Sequence, residues 1–278
     1  MTAVYIVLIT LAVLSGIYLF MIFPARMPKE RRGVFARRNY AHRGLFDNEK
    51  GVPENSLAAF EAAMQSGYGC ELDVQFTKDK QMVVFHDNGY ARACGTEKNV
   101  WELDYKDTKE LRLFGTDEKV PLFSEVLELV AGREPLIVEI KAEKLDKEWY
   151  YELCGAVLEM LREYKGEYCV ESFSPHVVRW FYKNAKDVTR GQLVMGRRFH
   201  KGVPFLVSWP YAGLLFNFCN RPHFIAYEES TRNLALRVAQ RLGAMTVVWT
   251  IKSDERYREI IKEEDAVIFE KFLPDTRF

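Results

Sequence analysis

Eight short apolar runs recur between residues 39 and 269, and most are separated by stretches that read as helix. They are Asn39–Arg43, Gly69–Phe76, Pro135–Ile140, Tyr168–Phe173, Gly191–Met195, Phe224–Tyr227, Met245–Thr250 and Ala266–Phe269. Strand and helix alternating in one chain call for a parallel sheet with helical crossovers. Eight repeats in a chain of 278 residues predict a TIM-type (β/α)8 barrel. A ninth run, Gln81–Phe85, follows the second after only Thr77-Lys78-Asp79-Lys80. That link is too short for a parallel crossover, so the run is expected as an antiparallel arm and the barrel as distorted. A turn centred between Lys78 and Asp79 sets His86 opposite Glu71, and a slip of one residue would turn the side chains to the other face. The alternative, a doubly wound open sheet, lacks the glycine-rich loop it needs after the first strand.

Helices are expected at Leu57–Gln65, capped by Asn55-Ser56, and at Phe123–Gly132, Lys147–Tyr164, Pro175–Ala185, Thr231–Leu242 and Glu255–Glu263. Asn88–Phe114 reads as irregular, with a helix starting at Asp107. Ahead of the barrel, Ala3 to Phe23 carries no charge over 21 residues, enough for a membrane span of about 20. Arg26, Lys29, Arg31, Arg32, Arg37 and Arg38 follow, opposed only by Glu30. The positive-inside rule then sets the downstream domain in the cytoplasm, as a single-pass protein of the cell membrane. A cleaved signal peptide is disfavoured: no Lys or Arg precedes the run and no A-x-A site follows it. The chain divides into a transmembrane helix at 1–23, a basic juxtamembrane linker at 24–38 and a barrel domain at 39–278. The basic residues either signal topology or lie on anionic headgroups. Val203–Phe218 is strongly apolar, broken by Pro204 and Pro210, and emerges at the barrel mouth. Its Phe205, Leu206, Trp209, Tyr211, Leu214, Leu215 and Phe216 are read as a second membrane contact, or as a loop packed over the barrel.

Lys+Arg and Asp+Glu balance at 39 each, so nothing global favours nucleic acid. The five cysteines are odd in number, widely spaced and form no CxxC pair, which argues against a disulfide framework or a thiolate zinc site. The chemistry sits at strand ends. Glu71 and Asp73 are two apart on one strand and share a face, and Glu139 lies on another strand. Three such carboxylates suit a hard cation, Ca²⁺ or Mg²⁺; without one they would repel and raise each other's pKa. His42 and His86, at strand ends flanking the carboxylates, fit an acid–base pair. Arg43 and Lys141 either hold phosphate oxygens or pair with the carboxylates. Together these groups point to metal-assisted phosphodiester hydrolysis.

His42-Arg43-Gly44, Pro53-Glu54-Asn55-Ser56, Glu71-x-Asp73, Thr77-Lys78-Asp79, His86-Asp87, Glu139-x-Lys141 and Trp249-Thr250 form an ordered series. The series resembles that of the glycerophosphodiester phosphodiesterase family, PLC-like TIM barrels, from about Tyr40 to Phe272. The resemblance implies a divalent metal on Glu71, Asp73 and Glu139, with His42 and His86 as general acid and base. It implies that Lys141 helps with phosphate charge and that Trp249 lines the pocket. It implies hydrolysis of glycerophosphodiesters to glycerol 3-phosphate and an alcohol. Ser56 stands where the family more often has Thr, Ile251-Lys252 where Val-Asn is usual, and Glu270-Lys271 where a Thr-Asp pair is common. The last two departures touch the mouth, so they bear on glycerol specificity and admit lysophospholipids, with a lysophosphatidate as product. Two other readings are a transferase giving a cyclic phosphate and a catalytically silent lipid-binding protein. The second predicts erosion of the seven charged motif residues, and all seven are present.

Overall fold

A computed structural model of the chain describes residues 2–142, 144, 146–196 and 205–278. Its strands are β1 (Arg38–His42), β2 (Gly69–Phe76), β3 (Met82–Val84), β4 (Leu136–Ile140), β5 (Tyr168–Ser172), β6 (Arg190–Val194), β7 (Phe224–Glu228), β8 (Met245–Ile251) and β9 (Ala266–Phe269). β1 pairs in parallel with both β2 and β9, which closes the other strands into an eight-stranded TIM barrel. Among the strands of the described residues, β3 is the one that pairs antiparallel, attached to β2 outside the closed cycle. The long crossovers carry helices on the outside. Leu72, Val138 and Val170 pack outward beneath Phe60, Phe123, Leu153 and Phe181. Ile137, Cys169, Leu193, Phe224 and Val247 fill the barrel.

That alternation decides where the charges go. All eight residues of β2 are buried. With Leu72 and Val74 facing the helices, Glu71, Asp73 and Gln75 must face the lumen. The register sets Asp73 beside Glu139 and Glu139 beside Glu171, so three carboxylates share one layer near the mouth. Helix α3 (Leu57–Gln65) forms where expected: Ser56 Oγ accepts from Ala59 N at 3.1 Å, and Ala59, Phe60, Ala63 and Met64 face the core.

The base is closed from the N-terminal side. Helix α2 (Lys29–Phe35) lies across it, with Met27 and Phe35 in the lumenal cluster. Arg31 pairs with Glu167 at 2.5 Å, Arg32 with Asp265 at 2.8 Å and Arg38 with Glu134 at 2.6 Å. These carboxylates stand just ahead of β5, β9 and β4, so three of the six cations expected in a linker tie the segment to the barrel. Helix α1 (Thr2–Ile22) is exposed from residue 2 to 17 and meets the domain through its last turns, where Tyr18, Met21 and Ile22 pack on the core and Phe20 meets Phe218.

Three expectations differ from the structure. The hairpin register is one residue from the one expected: Val74 faces Val84 and Phe76 faces Met82, centring the turn on Asp79, and Lys80 takes a left-handed φ of 58°. The helix expected to start at Asp107 runs from Tyr105 to Thr108, with Asp107 inside it. In the apolar insertion, Val203 and Pro204 lie outside the described residues, as do the side chains of Phe205 and Leu206. Phe205–Ala212 forms a helix that includes Pro210, and Leu214 and Leu215 are buried in the core, against the membrane-contact reading of these two and in keeping with the packed-loop one. Trp209 and Tyr211 remain exposed.

Candidate active site

β1 ends at His42, and the next two residues turn the chain through positive φ, Arg43 at 55° and Gly44 at 80°. A Cβ on Gly44 would meet the Ala59 backbone at 2.8 Å, so the motif needs glycine there both for φ and for the close approach of α3. Asn55 is also left-handed, at φ 56°, and its Nδ2 donates to Asp73 Oδ2 at 2.9 Å. Its neighbour Glu54 accepts from Arg43 Nη1 at 2.6 Å and from Arg92 Nη2 at 2.7 Å. The Pro53–Ser56 segment therefore steers Arg43, holds Asp73 and caps α3.

The carboxylates converge. Glu71, Asp73 and Glu139 each offer an oxygen, and these atoms lie within 4.8 Å of one another. Two oxygens on opposite sides of one Ca²⁺ at about 2.4 Å stand about 4.8 Å apart, so the set fits a single hard cation. Lys141 Nζ lies 3.0 Å from Asp73 Oδ1 and 2.9 Å from Glu139 Oε1. Arg43 Nε is 3.6 Å from Asp73 Oδ2, and the Arg43 backbone N–H donates to Glu71 Oε2 at 3.2 Å. The expectation that all three carboxyls rise in pKa holds for two. Burial, reinforced by Asp73 and Glu139, pushes Glu71 well up. Burial also raises Glu139, against the pull of Lys141. Burial would raise Asp73 as well, but Lys141, His86 and Arg43 bring it far below the usual carboxylate range.

Each histidine is held at Nδ1 by a carboxylate. His42 Nδ1 is 2.8 Å from Glu270 Oε2, and its Nε2 is 4.0 Å from Glu71. Burial lowers the His42 pKa, and the hydrogen bond to Glu270 opposes that. Burial raises Glu270, but His42 and Lys252 outweigh it and bring the carboxyl to about 2. His86 Nδ1 is 2.7 Å from Asp87 Oδ1. A carboxylate accepts only, so Nδ1 carries the hydrogen in both rings and Nε2 is left for the pocket. β3 ends at Val84, and His86 reaches the site because the segment after it is pinned. Phe85 N donates to Asp73 O at 2.9 Å, and Gln75 Nε2 donates to Phe85 O at 2.7 Å and Asp87 O at 2.9 Å. Arg92 Nε then donates to Asp87 Oδ2 at 2.6 Å, joining this arm to Glu54 and Arg43.

His42, Arg43, Glu71, Asp73, His86, Glu139 and Trp249 all line one pocket; Lys141 lies beneath, paired to its carboxylates. Phe173, Leu193, Met195 and Ile268 make the opposite wall apolar, and Phe173 meets Trp249 edge-on at 5.8 Å. Glu54 and Glu171 were not singled out in the sequence, and Glu270 was placed at the mouth without its part as the partner of His42. Glu270 directly follows β9, a strand-end position like that of His42 after β1. Glu54 lies inside a quoted motif and couples two arginines. Glu171, also in the pocket wall, is 2% exposed; burial, with Glu139 and Asp73, drives its carboxyl well up.

Residues 42–270 match the model of the glycerophosphoryl diester phosphodiesterase family. A lysophospholipase D of Rattus norvegicus is 29% identical across 92% of this chain and 90% of its own length. A glycerophosphodiester phosphodiesterase of Caldanaerobacter subterraneus subsp. tengcongensis is 34% identical over 55% of this chain and 65% of its own. Among solved structures, a phosphodiesterase of Oleispira antarctica in complex with sn-glycerol-3-phosphate superposes with a TM-score of 0.69. It is 21% identical and covers 86% of this chain and 94% of its own, a likeness of fold. The glycerophosphodiester phosphodiesterase of Thermotoga maritima superposes at 0.64 with 26% identity, over 83% of this chain and 93% of its own.

Proposed function

The chain belongs to the glycerophosphoryl diester phosphodiesterase family and is a phosphoric diester hydrolase of that class; we propose that it cleaves glycerophosphodiesters, lysophospholipids among them, at the bond to the alcohol. The products are glycerol 3-phosphate, or a lysophosphatidate from a lipid substrate, and the free alcohol. The observation that carries this reading is the pair of imidazoles, each held at Nδ1 by a carboxylate, on either side of three converging acidic groups.

A Ca²⁺ or Mg²⁺ on Glu71, Asp73 and Glu139 would supply charge to draw electrons from phosphorus and to steady the phosphoryl oxygens. The residues do the rest. One imidazole Nε2 takes the proton of the attacking water as its oxygen bonds to phosphorus. The other imidazole, protonated, gives its Nε2 proton to the departing alkoxide as the phosphorus–oxygen bond breaks. The Nδ1 bonds to Glu270 and Asp87 fix both rings, and the Glu270 bond favours the charged form of His42. Arg43 and Lys141 offset negative charge at the phosphate, and Trp249 with Phe173 shapes the wall for the glycerol portion. Helix α1 anchors the enzyme as a single span, with the barrel on the cytoplasmic side that its basic flank favours.

A head-group panel of glycerophosphodiesters and lysophospholipids, assayed with each metal and followed by phosphorus NMR, tests the reading. Phosphomonoester as the first product supports it. A cyclic phosphate that accumulates would assign a transferase instead.

A further inference from the structure

The span α1 does not leave the barrel as a free tether. Asn217 Nδ2 donates to Ile22 O at 3.0 Å and Arg221 Nη1 to Phe23 O at 2.7 Å, so side chains of the barrel satisfy carbonyls at the end of the helix. Phe20 meets Phe218 at 6.4 Å between ring centroids, and the Arg221 guanidinium lies over Phe20 at 5.0 Å. The direction of the helix follows from its neighbours. Tyr18 lines a cleft with Gly196 and Thr231, which lie just past the C-terminal ends of β6 and β7. Seven residues later, Ala25 N donates to Pro222 O at 2.8 Å, just ahead of the N-terminal end of β7. From Tyr18 to Ala25 the chain therefore descends from mouth to base. Traced backwards, residues 2–17 project away from the domain on the mouth side.

Length then sets depth. All 21 residues of α1 make a helix of about 31 Å, close to the roughly 30 Å of a hydrocarbon core. The sixteen residues clear of the domain, 2–17, make only about 24 Å. The missing 6 Å or so is the stretch on which the barrel rim packs, so the rim is drawn toward the hydrocarbon boundary or the bilayer thins to meet it. The rim there presents two exposed apolar side chains, Trp209 at 43% and Leu234 at 72%, which line the Tyr18 cleft together with the polar Ser230, Arg232 and Asn233. Exposed Tyr211 lines the trough that leads past His176 and Phe173 to Glu139.

We propose that the barrel mouth faces the bilayer, with Trp209 and Leu234 seated in the headgroup layer beside α1, so that a lipid phosphodiester reaches the carboxylates directly from the membrane surface. This rests on α1 as a membrane span. It makes the headgroup layer the source of the lysophospholipid substrate already proposed.

The test uses the full chain in phosphatidylcholine vesicles, with Cys94 and Cys219 replaced by Ser. A fluorophore is placed at Leu234→Cys, at Trp209→Cys, or at Glu163→Cys on the base side. Nitroxide carried on lipid headgroups should quench the first two and spare the third. Protein that fails to float with the vesicles overturns the anchor and this inference with it. Flotation with the Glu163 label quenched, or with all three spared, overturns the orientation alone. In parallel, Leu234→Glu should lower the rate on vesicle-borne lysophosphatidylcholine roughly tenfold, as one apolar side chain leaves the bilayer. The rate on soluble glycerophosphocholine should stay unchanged, and equal loss on both would overturn the proposal.

Discussion

Lys141→Met removes the cation seated between Asp73 and Glu139 while keeping the length and apolar stem of the side chain. Two contacts, at 3.0 and 2.9 Å, disappear. At an effective dielectric of 20 each represents roughly 5 kcal/mol of gross attraction, but the burial cost of the ammonium disappears with it. The net loss is limited by the least costly way to neutralise the cluster, which is for one carboxylate to take up a proton. For a carboxyl of ordinary pKa about 4.3 this costs about 3.7 kcal/mol at pH 7, within the ~3–5 kcal/mol typical of a broken buried pair. At roughly 2–4 °C per kcal/mol for a domain of this size, melting in EDTA at pH 7 should fall by about 10 °C. The pH dependence gives a second, independent mark. The folded variant holds a proton that the unfolded chain has released above pH ~4.3, so its stability declines with rising pH by about 1.4 kcal/mol per unit. The deficit should therefore be large at pH 7, smaller at pH 6 and close to nil near pH 4.5. Saturating Ca²⁺ should raise the melting temperature of the variant more than that of the parent, since the site has lost a competing charge. Melting curves in detergent at three pH values, with and without metal, supply the readout. Equal melting temperatures in EDTA, or a deficit indifferent to pH, would refute the assignment of Lys141 as the counter-charge of this cluster.

EDTA should abolish hydrolysis, and Ca²⁺ or Mg²⁺ should restore it; full turnover in chelator would dismiss the metal assignment. His86→Ala, with its fold checked by circular dichroism, should lose about 10²–10⁴-fold in rate, and a loss under tenfold would remove it from proton transfer. Glu270→Gln should lower turnover and move one limb of the kcat/KM profile to lower pH, the acidic limb if His42 is the base and the alkaline limb if it is the acid, because His42 loses the carboxylate that favours its charged form; a profile with neither limb moved would unlink the pair. The raised Glu171 carboxyl makes the folded state hold a proton, so its contribution is destabilising above its ordinary pKa and grows with pH. Glu171→Gln should therefore raise the melting temperature in EDTA at pH 7 and leave it unchanged near pH 4, and a fall at pH 7 would count against this.

The eight barrel strands were legible as short apolar runs, most of them separated by stretches long enough for a helical crossover. Ser56 was legible as a cap, and the Glu71–Asp73 face follows from alternation alone. The arm register was not, since Thr77-Lys78-Asp79-Lys80 contains no glycine or asparagine to mark the left-handed position that Lys80 adopts. The roles of Arg31, Arg32 and Arg38 were hidden for another reason. Their partners lie 96 to 233 residues away, and a run of cations looks the same whether lipid or protein answers it. Leu214 and Leu215 mislead similarly, as apolar composition does not distinguish core from membrane contact. Glu171 belongs to no motif, and only the register brings it to the pocket; Glu270 was legible at the mouth, but its bond to His42 was not.

Helix α2 bears on where the polypeptide can be cut. Residue 39, at the start of the first apolar run, is the tempting place to begin a soluble version. Such a chain would discard Met27 and Phe35 from the lumenal cluster and strip Glu134, Glu167 and Asp265 of their arginines. The floor of the barrel would open onto Tyr40 and Phe224, which are fully buried in the intact protein. A chain begun at Pro24 keeps that floor while shedding helix α1, and it should be the shorter form that expresses as a folded enzyme.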